Sequence, residues 1–108
     1  MIKKICAALF LSSLLFAAPA KAAEPDLVET GKAFAEKNCS NCHAVGKEGA
    51  SKLPIAPPFR TLHEKYPVEN LEEALAEGIV TSHPAMPVFQ LEPPQIAALI
   101  EYLNSLKP

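Results

Sequence analysis

The feature that most constrains this chain of 108 residues is the pentapeptide Cys-Ser-Asn-Cys-His at positions 39–43. Two cysteines three residues apart on a helical turn point to the same side, so their thiols can reach two substituents on one edge of a flat ring. His43 follows at once and places an imidazole beneath the centre of that ring. In an exported protein, CxxCH is typical of c-type haem attachment, with Cys39 and Cys42 bonded to the porphyrin and His43 bonded to the iron.

Two other interpretations of the cysteine pair remain open. A dithiol redox site of the thioredoxin kind requires alternating strands and helices, and the chain after its first 22 residues shows no convincing strand pattern. A zinc site requires four ligands, and beyond the pentapeptide only His63 and His83 are available, which are not at zinc-finger spacing. Covalent haem attachment therefore explains the pattern best.

Residues 1–22 have the organisation of an export signal. Lys3 and Lys4 precede an uncharged, mostly apolar run of 14 residues at 5–18, and small residues stand where a signal peptidase cleaves. We predict cleavage after Ala22, with cleavage after Ala20 as the second choice, and export to the periplasm. A retained membrane anchor is the alternative, although 14 residues fall short of the roughly 20 that span a bilayer as a helix.

Removal of the signal changes the charge and the cysteine count. Cleavage removes Lys3, Lys4 and Lys21. The remaining 86 residues keep seven of the ten basic residues and all 12 acidic ones, which gives a formal charge of −5. This balance, with no basic patch, argues against nucleic-acid binding. Cys6 leaves with the signal, and the two remaining cysteines cannot form a long-range disulfide framework. A chain this short buries a small core and usually needs a disulfide, a metal or another bound group for stability. A covalently attached haem would supply both a cross-link and a large apolar centre.

The mature chain is predicted to begin with a helix and to end with one. Asp26 caps the first helix, with Glu29 three residues later in a capping-box arrangement. Gly31 lies on its apolar face, and because an interior glycine costs about 1 kcal/mol relative to alanine, we expect another helix to cross there, unless the glycine is merely tolerated. The remaining positions of that face are Leu27, Val28, Phe34, Ala35 and Asn38. The last helix, from Pro93-Pro94, is the natural partner; its apolar positions are Ile96, Leu99, Ile100, Leu103 and Leu106, and Tyr102 borders the crossing.

Between these helices the pattern predicts a loop at 44–56, a short helical element at 59–66 stopped by Pro67, and a helix from Val68 to about Glu77 ended by Gly78. The inward positions of that last helix are Leu71, Ala74, Leu75 and Ile79, and its outward positions are Glu69, Glu72, Glu73 and Glu77. The acidic row is either a solvated face or a docking patch for a basic redox partner.

Three residues outside the pentapeptide are candidates for the haem environment. Met86 is the one internal methionine, held in a stiff loop between two prolines, and is predicted as the sixth iron ligand, with His83, His63 or an open position as alternatives. A ligating histidine commonly donates its free ring N–H to a carbonyl, and we expect that of Pro57 to accept from His43. Arg60 either pairs with a haem propionate or is solvated.

The ordered set of motifs resembles class I cytochromes c of the bacterial, exported kind. The resemblance runs from Asp26 to Leu106 and rests on five features: Gly31 eight residues before Cys39, the CxxCH run, Ala-Pro-Pro-Phe at 56–59, His-Pro-Ala-Met-Pro at 83–87 and Leu-Ile-Glu-Tyr-Leu at 99–103. It implies an all-α fold at 23–108 after the signal at 1–22, with first and last helices crossing and one covalent haem c with histidine and methionine axial ligands. Family members often carry an aromatic at the position of Ala35, where this chain has Phe34 instead.

The function implied is outer-sphere one-electron transfer with both axial ligands retained, by a monomer that meets redox partner proteins and is not an enzyme. Two alternatives remain. The chain could be a haem-bearing subunit of a dehydrogenase or oxidase complex, or a peroxidase-like haem enzyme if the iron has an open position and His83 lies distal to it.

Overall fold

A computed structural model describes residues 16–20, 25–79 and 85–108 and shows only helices and connecting segments in these ranges. The α-helices are α1 (Leu27–Asn38), α2 (Leu71–Glu77) and α3 (Pro93–Ser105), and two 3₁₀ helices span Phe59–Glu64 and Val68–Asn70. The all-α fold predicted from the sequence is confirmed.

Helix α1 begins at Asp26, whose carboxylate accepts from Val28 N at 2.9 Å and Glu29 N at 3.4 Å. The side-chain hydroxyl of Thr30 donates to Asp26 O, so both the side chain and the main chain of Asp26 are bonded to the first turn. Among the hydrogen bonds of the described residues, none returns from Asp26 N to the Glu29 carboxylate. The predicted cap is therefore present, but the capping box is only half formed.

The crossing of α1 and α3 predicted from Gly31 is confirmed. A Cβ at Gly31 would overlap Ala98 O and would lie 2.6 Å from Ala98 C and 2.7 Å from Tyr102 Cβ. One turn further along α1, Ala35 is 0% exposed. Small residues at both positions let the two backbones come this close.

The predicted apolar face of α1 is only partly buried. Gly31 and Ala35 are fully covered, and Val28 and Phe34 are half-buried. Leu27 is 45% exposed and Asn38 is exposed. Leu27 is the more exposed because it stands in the first turn of α1, before the contact with α3, whereas Asn38 in the last turn still lines the cavity described below.

The connection between α1 and α3 follows the predicted order with one refinement. The helix expected over 68–77 starts as the 3₁₀ turn Val68–Asn70 and continues as α2, with Pro67 capping the turn. Gly78 ends α2 with a positive φ of 106°, and its N–H donates to Ala74 O at 2.9 Å. Leu91 N donates to Leu75 O at 2.8 Å, which ties the segment before α3 to α2.

Helix α3 supplies most of the core. Its first turn is closed by Glu92 N, which donates to Gln95 Oε1 at 3.0 Å. All five predicted inward residues are buried, as is Tyr102. They pack with buried residues of the other elements, namely Ala35, Phe59, Leu62, Val68 and Leu75. Tyr102 also donates its hydroxyl hydrogen to Val45 O, so α3 holds the loop that follows the pentapeptide.

Two predicted features lie outside the described residues. Most of the predicted signal at 1–22, including the cleavage site after Ala22, falls in 1–15 and 21–24, and His83 falls in 80–84. Within the described ranges, no helix combines the length and the apolar character needed to cross a membrane.

Candidate functional site

A large apolar cavity of about 480 Å³ lies between the helices. This volume falls within the range of roughly 300–1,000 Å³ that is usual for ligand and cofactor pockets. Its wall combines the end of α1, the pentapeptide, the loop before Phe59, the first 3₁₀ helix, α2, α3 and the segment after residue 84. The apolar lining includes Phe34, Leu53, Ile55, Phe59, Leu62, Leu71, Leu75, Ile79, Phe89, Leu91, Leu99 and Leu103.

Cys39 and Cys42 both line this cavity, as their spacing predicts. Cys39 caps the end of α1, where its N–H donates to Ala35 O. The chain then makes one more turn, because Cys42 N and His43 N both donate to Cys39 O, at 3.2 and 2.9 Å. Both side chains are free, half-buried thiols.

The environment of Cys39 argues against a dithiol redox site. Burial raises the pKa of the Cys39 thiol to about 11. Redox-active CxxC motifs depend instead on a lowered thiol pKa, since the thiolate is the attacking species. The residues that the structure describes also contain no strand, whereas the thioredoxin architecture needs strands.

His43 lines the cavity and is held by Pro57, as predicted. His43 Nδ1 lies 2.8 Å from Pro57 O. Because a carbonyl oxygen can only accept, Nδ1 carries the proton, and Nε2 keeps the lone pair that a metal ligand requires. The Phe59 ring packs against the imidazole, with centroids 5.1 Å apart and planes inclined at 48°.

Backbone hydrogen bonds close the loop 44–56 onto the pentapeptide. Leu53 N donates to Cys42 O at 3.1 Å, and Phe59 N donates to Ala44 O at 2.9 Å. The Ser51 hydroxyl accepts from Ala44 N at 2.9 Å. These bonds fix both ends of the loop, and with them the Pro57 carbonyl that orients His43.

Met86 lines the same cavity as His43 and the two cysteines. It is half-buried between Ala85 and Pro87, which also contribute to the wall. His63, an alternative ligand, borders a second cavity of about 400 Å³ instead. Of the ligand candidates that the structure describes, His43 and Met86 are thus the two that share the main cavity.

Arg60 does not line the main cavity, contrary to what a propionate pairing would need. It borders the second cavity together with Lys47, His63 and Lys107, and its Nη1 is buried without a hydrogen-bond partner. Among the described Lys, Arg, Asp and Glu residues, Lys65 alone lines the main cavity. No periodicity in the sequence indicated this, because Lys65 lies off the helical face formed by Phe59, Leu62 and Tyr66.

The zinc interpretation finds no support in the part of the chain that the structure describes. No group of three or more His, Cys, Asp or Glu side chains there is arranged to hold a metal ion.

The groups on the wall suit a c-type haem. An apolar cavity of this size accepts a flat macrocycle, both cysteines border it, and an imidazole and a thioether on its wall are available for iron. No Asp or Glu carboxylate is among the described residues of the wall, so none would be buried against the apolar face of the porphyrin.

A family model described as Cytochrome c matches residues 28–107. Comparison with curated proteins and with solved structures gives no match. The family match spans α1, the pentapeptide, the cavity and α3, which are the elements that enclose the site. The chain belongs to the cytochrome c family, whose members carry a covalently attached haem c and transfer electrons through its iron.

Proposed function

We propose that this protein is an exported, periplasmic electron carrier, with haem bonded to Cys39 and Cys42 and with His43 and Met86 as axial ligands. The observation that carries the proposal is that both thiols, the imidazole and the thioether line one apolar cavity. Iron in the bound haem would supply a ferric–ferrous couple, and the chain's residues would tune and insulate it.

His43 and Met86 have complementary roles in this proposal. The hydrogen bond from Nδ1 to Pro57 O fixes the ring and raises the basicity of Nε2, which strengthens its bond to a metal. The thioether of Met86 is a soft, weak donor that favours the ferrous state and so raises the potential relative to two histidines. Because both ligands stay bound, little has to reorganise during the transfer.

The acidic row on α2 supports a basic redox partner. Glu72, Glu73 and Glu77 of α2 and Glu69 of the preceding 3₁₀ turn are exposed, while Leu71 and Leu75 line the cavity. A helix with its side chains is roughly 10–12 Å across. A basic partner docked on this row would stand about one helix diameter from the haem, and opposite charges would speed its association.

Two alternatives remain, and each has a discriminating observation. A permanent subunit of a dehydrogenase or oxidase would elute with its complex during size-exclusion chromatography of a native extract, whereas a free carrier elutes near the mass of a monomer. A peroxidase-like enzyme would need an open iron position. The place of Met86 on the cavity wall favours the carrier.

The absorption spectrum of the purified oxidised protein tests the ligation. We expect the weak far-red band of methionine bound to ferric haem, its loss in Met86→Leu, and its retention in His63→Ala, because His63 borders the other cavity. Cys39→Ser and Cys42→Ser should each lose one thioether bond. A far-red band that persists in Met86→Leu would contradict the assignment.

Export is tested on the same preparation. Expression with the natural leader in a host that matures c-type cytochromes should yield a periplasmic protein whose mass corresponds to residues 23–108 plus one haem. A mass that retains residues 1–22, recovered with the membrane fraction, would support the anchor instead.

A further inference from the structure

A haem in the main cavity brings two carboxylates that an apolar wall cannot accommodate alone. Burial of an unpaired carboxylate is costly, so such groups are paired, hydrogen-bonded or held at the water boundary. The two vinyl-derived carbons that bind the cysteines are on a different edge of the porphyrin from the two propionates. The propionates must therefore meet residues of the wall other than those around Cys39 and Cys42.

Lys65 is placed to meet one of them. It follows the 3₁₀ helix Phe59–Glu64, where Lys65 N and Tyr66 N both donate to Leu62 O, at 3.1 and 3.4 Å. Pro67 comes next and restricts the backbone further. The Lys65 side chain lines the cavity and is also exposed, the arrangement in which an aliphatic stem covers apolar surface and the ammonium stays at the water boundary.

Tyr66 offers a second donor on the wall of the same cavity. Its side chain is half-buried and lines the cavity beside Lys65. Burial raises the pKa of the Tyr66 hydroxyl, so this group stays a neutral O–H donor at physiological pH. An ammonium and a hydroxyl from adjacent residues that line one cavity can both donate to one carboxylate.

The other polar groups of the wall are less suited to this role. Cys39, Cys42 and His43 are committed to the haem in the proposed function, and Asn38 and Asn41 flank the cysteines along the chain. Arg60 borders the second cavity. Among the described wall residues, this leaves Lys65 as the cation that can neutralise a carboxylate without leaving its place.

We propose that Lys65, assisted by Tyr66, binds a haem carboxylate and thereby raises the reduction potential. The inference rests on the proposed function, since it requires the haem. A carboxylate near the iron stabilises the more positive ferric state, and a paired ammonium cancels that effect. Removal of the ammonium therefore shifts the one-electron equilibrium toward ferric.

The test compares the holoprotein with Lys65→Gln, Lys65→Arg and Lys52→Gln. Lys52 is an exposed residue of the loop 44–56 that lines neither cavity, so its substitution removes the same charge elsewhere. Spectrophotometric redox titration at pH 7 gives the midpoint potential at low and at 0.5 M salt. At 0.5 M salt, charges separated by more than a few ångströms are screened, whereas a contact pair is screened much less.

We expect Lys65→Gln to lower the equilibrium constant for reduction about threefold at high salt, which is ~28 mV for one electron. Lys65→Arg should keep the wild-type value, and Lys52→Gln should match wild type at high salt. The redox-induced infrared difference spectrum provides a second measurement, in which Lys65→Gln alone should shift the carboxylate bands.

Equal potentials for Lys65→Gln and Lys52→Gln at high salt, with unchanged carboxylate bands, would overturn the proposal. The far-red band separates this outcome from a failure of the proposed function. If the band is absent from wild type, the Met86 ligation is wrong, and the difference between the two glutamine variants still decides the role of Lys65.

Discussion

Gly31 of α1 lies directly against the backbone of Ala98 in α3, closely enough that a Cβ at position 31 would overlap the Ala98 carbonyl oxygen. The obstacle is main chain in the middle of a helix, so no side-chain rotation can relieve it. The glycine therefore sets the distance between the first and last helices, whose packing closes one side of the haem cavity.

Substitution Gly31→Ala should destabilise the protein by about 1–3 kcal/mol, the usual cost of forcing an extra carbon into a packed contact. Denaturant unfolding of the ferric holoprotein measures the change. Gly46→Ala is the matched control, because a Cβ there would meet no atom within 4 Å and its φ is not positive. It should be neutral or slightly stabilising. Equal effects of the two substitutions would contradict the close crossing.

Much of this architecture could be predicted because it depends on local chemistry. CxxCH carries its geometry within five residues, the glycine on the α1 face signalled the crossing, and prolines with Gly78 marked the helix ends. The positions of Arg60 and Lys65 could not be predicted in the same way. Which cavity a long side chain borders depends on the packing of several elements, and Lys65 lies just past the end of the 3₁₀ helix, where helical periodicity no longer fixes its direction. The exposure of Leu27 has a similar cause, since pattern alone does not show where the contact with α3 ends.

The hydroxyl of Tyr102 in α3 donates to Val45 O, two residues after His43. Tyr102→Phe removes this bond and leaves a part-buried carbonyl without its donor, which should cost about 0.5–1.5 kcal/mol of unfolding free energy at pH 7. Denaturant unfolding measures the loss. An unchanged unfolding free energy in Tyr102→Phe would contradict this role of the bond.

The surroundings of Tyr102 also predict that stability depends on alkaline pH. Burial, followed by the nearby carboxylates of Glu36 and Glu29, raises the pKa of Tyr102 above its usual value of 10. The unfolded chain therefore loses its proton first, so this contribution to stability is complete below pH 10 and is lost as pH rises through the folded pKa. Unfolding free energies at several pH values between 8 and 12 should fall more steeply for wild type than for Tyr102→Phe. Parallel curves would contradict this expectation.

The cap at Asp26 should matter more than the nearby Glu29. Asp26→Ala removes the acceptor of two N–H groups in the first turn of α1, and loss of such a cap typically costs ~1 kcal/mol. Glu29→Gln is the matched control, because no return bond to Asp26 is formed and its effect should stay within about 0.5 kcal/mol. Thermal unfolding of both variants checks the difference. A loss for Glu29→Gln as large as that for Asp26→Ala would contradict the dominant role of the cap.

The acidic row on α2 should steer charged reaction partners. Glu72, Glu73 and Glu77 are exposed, whereas Glu69 accepts a hydrogen bond from Asn104 that contributes most to lowering its pKa, so Glu69 is best left in place. Changing the other three to glutamine should slow oxidation by a tricationic cobalt complex by roughly threefold to tenfold at low ionic strength. Oxidation by ferricyanide, an anion, should become faster. Stopped-flow absorbance measures both rates.

A second triple variant separates local steering from net charge. Glu36, Glu48 and Glu101 are exposed on α1, on the loop 44–56 and on α3, so their change to glutamine removes the same total charge away from α2. We expect it to alter both rates less than the α2 variant does, and we expect all differences to vanish near 0.5 M salt, where surface charges are screened. If both triple variants change the two rates equally, electrons do not leave through the α2 side of the cavity, and the docking patch must lie elsewhere.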